Sequence, residues 1–115
     1  MGQIYSYTVH KQISDRDIDN LICTALEGGI NYWCDSAEPE GADYKGCQYA
    51  HEVLTKGGAL ILKSFENTTH VLTLNKVMYA LGKPEVDDLL DINDYDAVEV
   101  DQVIQHALFG GPIYG

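Results

Sequence analysis

Two stretches of this 115-residue chain align without a gap, DNLICTALEGGINY at 19–32 and DQVIQHALFGGPIY at 101–114. Asp19, Ile22, Ala25, Leu26, Gly28, Gly29 and Tyr32 fall opposite Asp101, Ile104, Ala107, Leu108, Gly110, Gly111 and Tyr114. In both stretches apolar residues recur at three- and four-residue spacing, which forms a single stripe on a helix. Such a helix is stable only when its stripe lies against another layer. Both stretches then reach Gly-Gly, and glycine can end a helix in the left-handed conformation that side chains resist. The sequence therefore commits to two amphipathic helices, at about 14–27 and 99–109, each stopped by glycine and followed by an aromatic residue. Shared helix grammar and duplication are both open explanations of the echo, although the flanking strands have no second copy. In either case the two helices are expected on one sheet face, with Ala25 and Ala107 allowing close approach.

The rest of the chain supplies that sheet. Residues 3–13, QIYSYTVHKQI, alternate with a period of two and are rich in residues that favour a pleated surface, so a first strand is expected there. Ser14 then offers an N-cap, and Asp15, Asp17 and Asp19 place negative charge at the positive end of the helix dipole. INYWCDS predicts a short strand, and AEPEGADYKG a loop broken by Pro39, Gly41 and Gly46. CQYAHEVLTKGG admits either a short helix closed by Gly57 and Gly58 or a strand through Tyr49. ALILKSFE and HVLTLN read as a hairpin around 59–74. Leu74, Val77, Met78 and Leu81 predict a helix over 74–82, with Gly82 and Pro84 as stops. The expected architecture is a single α+β domain over 1–115, an antiparallel sheet of four to five short strands with two to three helices packed on it.

Composition narrows the function. Eighteen acidic residues face seven basic ones, for a net charge of −11, and Arg16 is the sole arginine. Binding to a nucleic-acid backbone needs clustered Lys and Arg, so direct binding of DNA or RNA is not expected. The surplus carboxylates serve solubility or present a decoy to a protein whose own groove binds nucleic acid. No run approaches the ~18 apolar residues of a membrane span, and MGQIYSYTVHKQ lacks the plan of a signal peptide. Three cysteines, Cys23, Cys34 and Cys47, do not describe a disulfide framework, and a reducing cytosol is the simpler setting.

Motifs of chemistry are scarce. Cys34, Cys47 and His51 lack the fourth ligand and the tight pair of a zinc site, so the cysteines read as buried or half-buried free thiols. The acidic run 85–101 lacks the glycine and closing Glu of an EF-hand loop and reads as a solvated face. No nucleophile elbow, P-loop or Rossmann glycine pattern occurs. Neither catalysis nor a cofactor is expected. The cluster Asn31, Tyr32 and Trp33 is the main candidate for ligand contact. Adjacent rings on a strand point to opposite faces, which makes one ring core and leaves the other free to stack on a base; the alternative is that both rings pack against the helices.

The motifs TALEGGINYWC, KGGALIL and ALFGGPIYG resemble those of small phage and prophage proteins that share an ALEGGxxYW pattern, and are similar to the phage anti-Thoeris sponge family. That resemblance implies a small oligomer with a β-sheet flanked by helices. It implies a ligand of the cyclic ADP-ribose type, bound between subunits and sequestered without hydrolysis, in the cytosol of the host cell. Asn31, Tyr32 and Trp33 would contact that ligand, with Arg16 and Tyr44 as further contacts. With a single arginine in the chain, helix N-termini or glycine amides would have to hold the phosphates. The alternative is an acidic protein-binding inhibitor, such as an anti-CRISPR that mimics nucleic acid, acting through Asp87, Asp88, Asp91 and Asp94. A structural phage protein with no small ligand is the third expectation.

Overall fold

The computed structural model describes residues 13–40, 50–89 and 96–115. The strand expected at 3–13 lies outside them except for its last residue, as do Tyr44, Cys47, Asp91 and Asp94. The chain is α+β, and the described residues form a three-stranded antiparallel sheet and four α-helices, one helix more than expected.

Helix α1 (Asp15–Thr24) starts where the sequence says it should. Ser14 is extended, its hydroxyl accepts from Asp17 N at 3.1 Å, and Asp17 accepts from Ser14 N at 3.4 Å, a reciprocal capping box. The expected left-handed stop at Gly28 or Gly29 does not form. Positive φ among the described glycines occurs at Gly57, Gly110 and Gly115. Instead, Ala25–Gly29 continues as a π-helical turn, and Ile30 N donates to Ala25 O five residues back, at 3.1 Å. The cause is tertiary. A Cβ on Gly29 would meet Ala97 O at 3.0 Å, so the wider turn brings bare backbone against the start of the last helix. Gly29 therefore makes the close approach between the two helical segments that was expected of Ala25 and Ala107.

Residues 31–33 form a turn, so the strand expected at 30–36 starts later, at Cys34. Strand β1 (Cys34–Glu40) extends into the expected loop, and Pro39 is tolerated because β1 is the edge of the sheet among the described residues. It pairs with β2 (Ala59–Ser64), with a bulge between Cys34 and Ser36, and β2 pairs with β3 (Thr69–Thr73). The 59–74 hairpin forms as read. Its turn is held by buried Ser64, whose hydroxyl accepts from Glu66 N and Thr68 N at 3.2 Å each, while Asn67 takes the left-handed position (φ 65°). The segment 47–58 resolves towards helix: Ala50–Glu52 is a 3-10 turn, and Gly57 ends the following turns with φ 89°.

Helix α2 (Leu74–Leu81) follows β3 directly, with Thr73 accepting from Lys76 N at 3.3 Å as its cap. Pro84 does stop α2, but it also opens a short helix, α3 (Pro84–Leu89), a first-turn position that proline suits. Helix α4 (Ala97–Phe109) is capped by Asp96, which accepts from Glu99 N at 3.0 Å, and it ends at Gly110 with φ 79°. Leu60 and Leu62 point from β2 into a core shared with Leu21, Ile22 and Ile30 below α1 and with Val100, Val103 and Ile104 on α4. Each such side chain contributes about 1.5–3 kcal/mol on burial. Among the described residues no helix is long and apolar enough to cross a membrane.

The two Gly-Gly pairs thus hold different backbones, and single substitutions separate them. A Cβ on Gly28 would meet nothing within 4 Å, and its φ is not positive, so Gly28→Ala should raise the urea midpoint, by about 0.5–1 kcal/mol of stability. Gly110→Ala should lower stability by about 1 kcal/mol because the left-handed position opposes a Cβ. Equal losses at both positions would contradict the π-turn.

Candidate functional site

The site is built where the two echoed stretches meet. After the π-turn, the chain at 31–33 is fixed by backbone bonds. Trp33 N and Cys34 N both donate to Ile30 O (3.1 and 2.8 Å), and Trp33 O accepts from Phe65 N of the hairpin turn (3.1 Å). The Trp33 ring is buried, 3% exposed, while the Tyr32 ring is 52% exposed. Opposite them, α4 presents Asp101 and Gln105 one turn apart, at 4% and 0% exposure.

Asp101 organises this junction. Its carboxylate accepts from Trp33 Nε1 at 2.8 Å and from the Tyr32 hydroxyl at 2.5 Å, and both its oxygens accept from Gln105 Nε2 at 3.0 Å. The donors are an indole, a phenol and a primary amide, all uncharged. Burying a carboxylate is costly unless its oxygens are satisfied, and these three donors satisfy them. Desolvation first, then the hydrogen bond to Asp101 and its charge, push the Tyr32 phenol up to about 12 from its ordinary 10.0, against a smaller opposing effect of the Gln105 amide. Tyr32 therefore stays neutral and keeps its proton directed at Asp101 across the physiological range.

Gln105 carries the junction to the strap that follows α4. Its Oε1 accepts from Ile113 N at 2.7 Å and Tyr114 N at 2.9 Å, and its Nε2 donates to Tyr114 O at 3.3 Å as well as to the Tyr32 hydroxyl at 3.1 Å. This places the Tyr114 ring parallel to Trp33, with centroids 5.1 Å apart and planes at 4°. Phe109 closes the cluster edge-on to Trp33 (5.7 Å) and to Tyr114 (5.9 Å), and His70 of β3 meets Phe109 edge-on at 4.8 Å. Offset-stacked and edge-on pairs are the favoured arrangements of aromatic rings.

Beside this cluster lies a shallow cavity of about 250 Å³ lined by Leu26, Ile30, Asn31, Cys34, Asp35, Ser36 and Ala37. The exposed Asn31 and the half-buried Ser36 supply polar groups there. Cys34 is buried, a free thiol pushed up chiefly by desolvation, with its Sγ donating to Ser36 O at 3.2 Å, so it is not an activated nucleophile.

Of the residues singled out in the sequence, Tyr32 and Trp33 meet at Asp101, while Asn31 lines the neighbouring cavity. Arg16 does not join them: it is exposed in the first turn of α1, roughly 15–20 Å along the helix from the π-turn glycines. Tyr44, Asp91 and Asp94 lie outside the described residues. Asp87 and Asp88 fall on α3, with their side chains outside the described part of the molecule. Asp101, Gln105, Phe109 and Tyr114 were missed as site residues. Positions 101, 105 and 108 lie on one flank of the α4 stripe, so a Gln and an Asp at helical spacing beside Leu108 were the available clue. Comparison of the chain with protein-family models, curated proteins and solved structures returned no significant match.

Two measurements check this junction. Asp101→Ala leaves the Trp33 indole without its acceptor and takes from Tyr32 and Gln105 the carboxylate they share, and should cost about 2–4 kcal/mol in urea denaturation. Because the folded pKa of Tyr32 is raised, its contribution is complete below pH 10 and is lost as pH climbs towards 12. The stability margin of the wild type over Tyr32→Phe should accordingly narrow across that window, and a margin independent of pH would contradict the Tyr32–Asp101 bond.

Proposed function

We propose that this chain binds a nucleotide and sequesters it without cleaving it, as a phage counter-defence protein acting on a cyclic ADP-ribose type of immune signal in the host cytosol. The observation that carries the reading is the Tyr32 ring. It is large, aromatic and half exposed, yet its hydroxyl is anchored by the short bond to buried Asp101, so the platform is rigid before any ligand arrives. A base stacked on such a ring gains roughly 1–3 kcal/mol, and pre-ordering spares the entropy of fixing the side chain on binding. Asn31 at the rim of the neighbouring cavity offers an amide to the ribose or base edge.

The size of that cavity argues for an oligomer. At about 250 Å³ it holds one ring system, less than a whole cyclic dinucleotide-like ligand needs. A second copy covering the Tyr32 platform would complete the enclosure, which agrees with the arrangement implied by the sponge resemblance. Two ionisable groups near the cavity suit binding rather than cleavage: the Cys34 thiol is raised and buried, and the Tyr32 phenol is raised and committed to Asp101.

Calorimetric titration with cyclic ADP-ribose isomers tests the proposal. The expected result is saturable binding at micromolar concentration or below, with the ligand recovered intact after heat denaturation and affinity falling about 5- to 100-fold in Tyr32→Ala. No binding at tens of micromolar, or recovery of a cleaved product, would overturn it.

A further inference from the structure

The strap after α4 is held in a way that imitates a ligand. Its polar grip on α4 is the side-chain amide of Gln105, which accepts from two strap N–H groups and donates to one strap carbonyl, and the Phe109 ring meets Tyr114 edge-on. Its ring, Tyr114, lies flat on Trp33. A nucleobase satisfies the same two demands at once. It has a flat π-face for Trp33, and bases with an adjacent N–H donor and ring acceptor match the acceptor–donor edge of a glutamine amide, as adenine does through N6 and N7.

We propose that the face of Trp33 covered by Tyr114, together with the Gln105 amide edge, is a second base-binding subsite, and that the strap occupies it as an internal competitor. The proposal rests on the reading that this chain binds a nucleotide through its base. A ligand's adenine replaces the Tyr114 ring on Trp33. Its amino group donates to Gln105 Oε1 where Ile113 N and Tyr114 N now donate, and its ring nitrogen accepts from Gln105 Nε2 where Tyr114 O now accepts. The subsite is built in advance. Trp33 is held by Asp101 through its indole nitrogen and by the hairpin through its carbonyl, neither of which involves the strap. Gln105 is likewise held by Asp101 through Nε2. The strap's own exterior is open, with Pro112 and Ile113 exposed, and of its residues only Tyr114 packs against the core, so its release withdraws one half-buried ring and uncovers the subsite. Occupancy by the strap lowers apparent affinity by the fraction of time the subsite is free.

The chain's one tryptophan makes the test direct, because emission excited beyond the absorption of the tyrosines reports on the surroundings of the Trp33 ring. Adenosine, which is uncharged and so is not opposed by the acidity of the chain, is titrated against the full chain, against a variant with residues 112–115 deleted, and against Tyr114→Ala. The expected result is saturable quenching at least tenfold tighter in the deletion variant. That gain should be lost in the deletion variant carrying Gln105→Leu, and lost equally when the probe is N6,N6-dimethyladenosine, which cannot donate. Where the deletion variant fails a circular-dichroism check of folding, Tyr114→Ala decides the case, with an expected gain of about threefold or more from the vacated stacking face. A folded variant that binds adenosine no more tightly than the full chain overturns the inference. The two proposals fail separately. Cyclic ADP-ribose binding unaffected by the strap variants refutes the inference and leaves the sequestering function standing. Adenosine binding gained on strap removal, without any binding of cyclic ADP-ribose isomers, does the reverse.

Discussion

One buried carboxylate holds this structure's two aromatic segments in place. Asp101 takes a hydrogen bond from each of Tyr32 and Trp33 and fixes the amide of Gln105, which in turn grips the strap at 113–114. Without an acceptor at that point, the indole N–H would be buried unpaired and the Tyr32 hydroxyl and Gln105 amide would lose the partner they share, a cost comparable to a sizeable part of a small domain's stability. The π-turn at Ala25–Gly29 serves the same junction, because it brings the bare backbone of Gly29 against Ala97 and delivers residues 31–33 alongside α4. Single π-turns within helices are frequent at functional sites.

The echo between 19–32 and 101–114 gains a spatial meaning from this geometry. The aligned tyrosines, Tyr32 and Tyr114, both touch Gln105, one through its hydroxyl and the other through its backbone. The aligned aspartates are both tied by hydrogen bonds, Asp19 accepting from Thr55 Oγ1 at 2.7 Å and Asp101 accepting from the aromatic donors. Yet the glycine pairs diverge, one in a π-turn and one in a left-handed cap. Identical letters met different neighbours, and the neighbours decided the backbone.

That divergence also marks how much was legible. Local signals were sufficient for the Ser14 cap, the hairpin at 59–74, and the helices ending near Leu81 and Phe109, because capping chemistry and periodicity act within a few residues. They were insufficient at Gly28 and Gly29, where the outcome turns on the carbonyl of Ala97, far along the chain, and at Pro39, where tolerance depends on β1 lying at a sheet edge. The candidate site was half legible. Asn31, Tyr32 and Trp33 stood out by composition, and one ring is buried and the other half exposed, although 31–33 is a turn and not the strand whose alternation was expected to separate them. Asp101 and Gln105 looked like ordinary polar positions on a surface helix, since nothing local reveals that two aromatic segments dock on that flank. Arg16 was attractive only as the chain's one arginine, and the length of α1 carries it away from the rings.

Protection of a single hydrogen tests the central claim most directly. The chain has one indole N–H, so its resonance is unique in a proton–nitrogen correlation spectrum. If Trp33 Nε1 donates to buried Asp101, that hydrogen exchanges with solvent only through large-scale opening, remaining visible long after transfer to deuterated buffer and becoming fast in Asp101→Ala. An indole hydrogen in the wild type that exchanges within the dead time of the experiment would contradict the account.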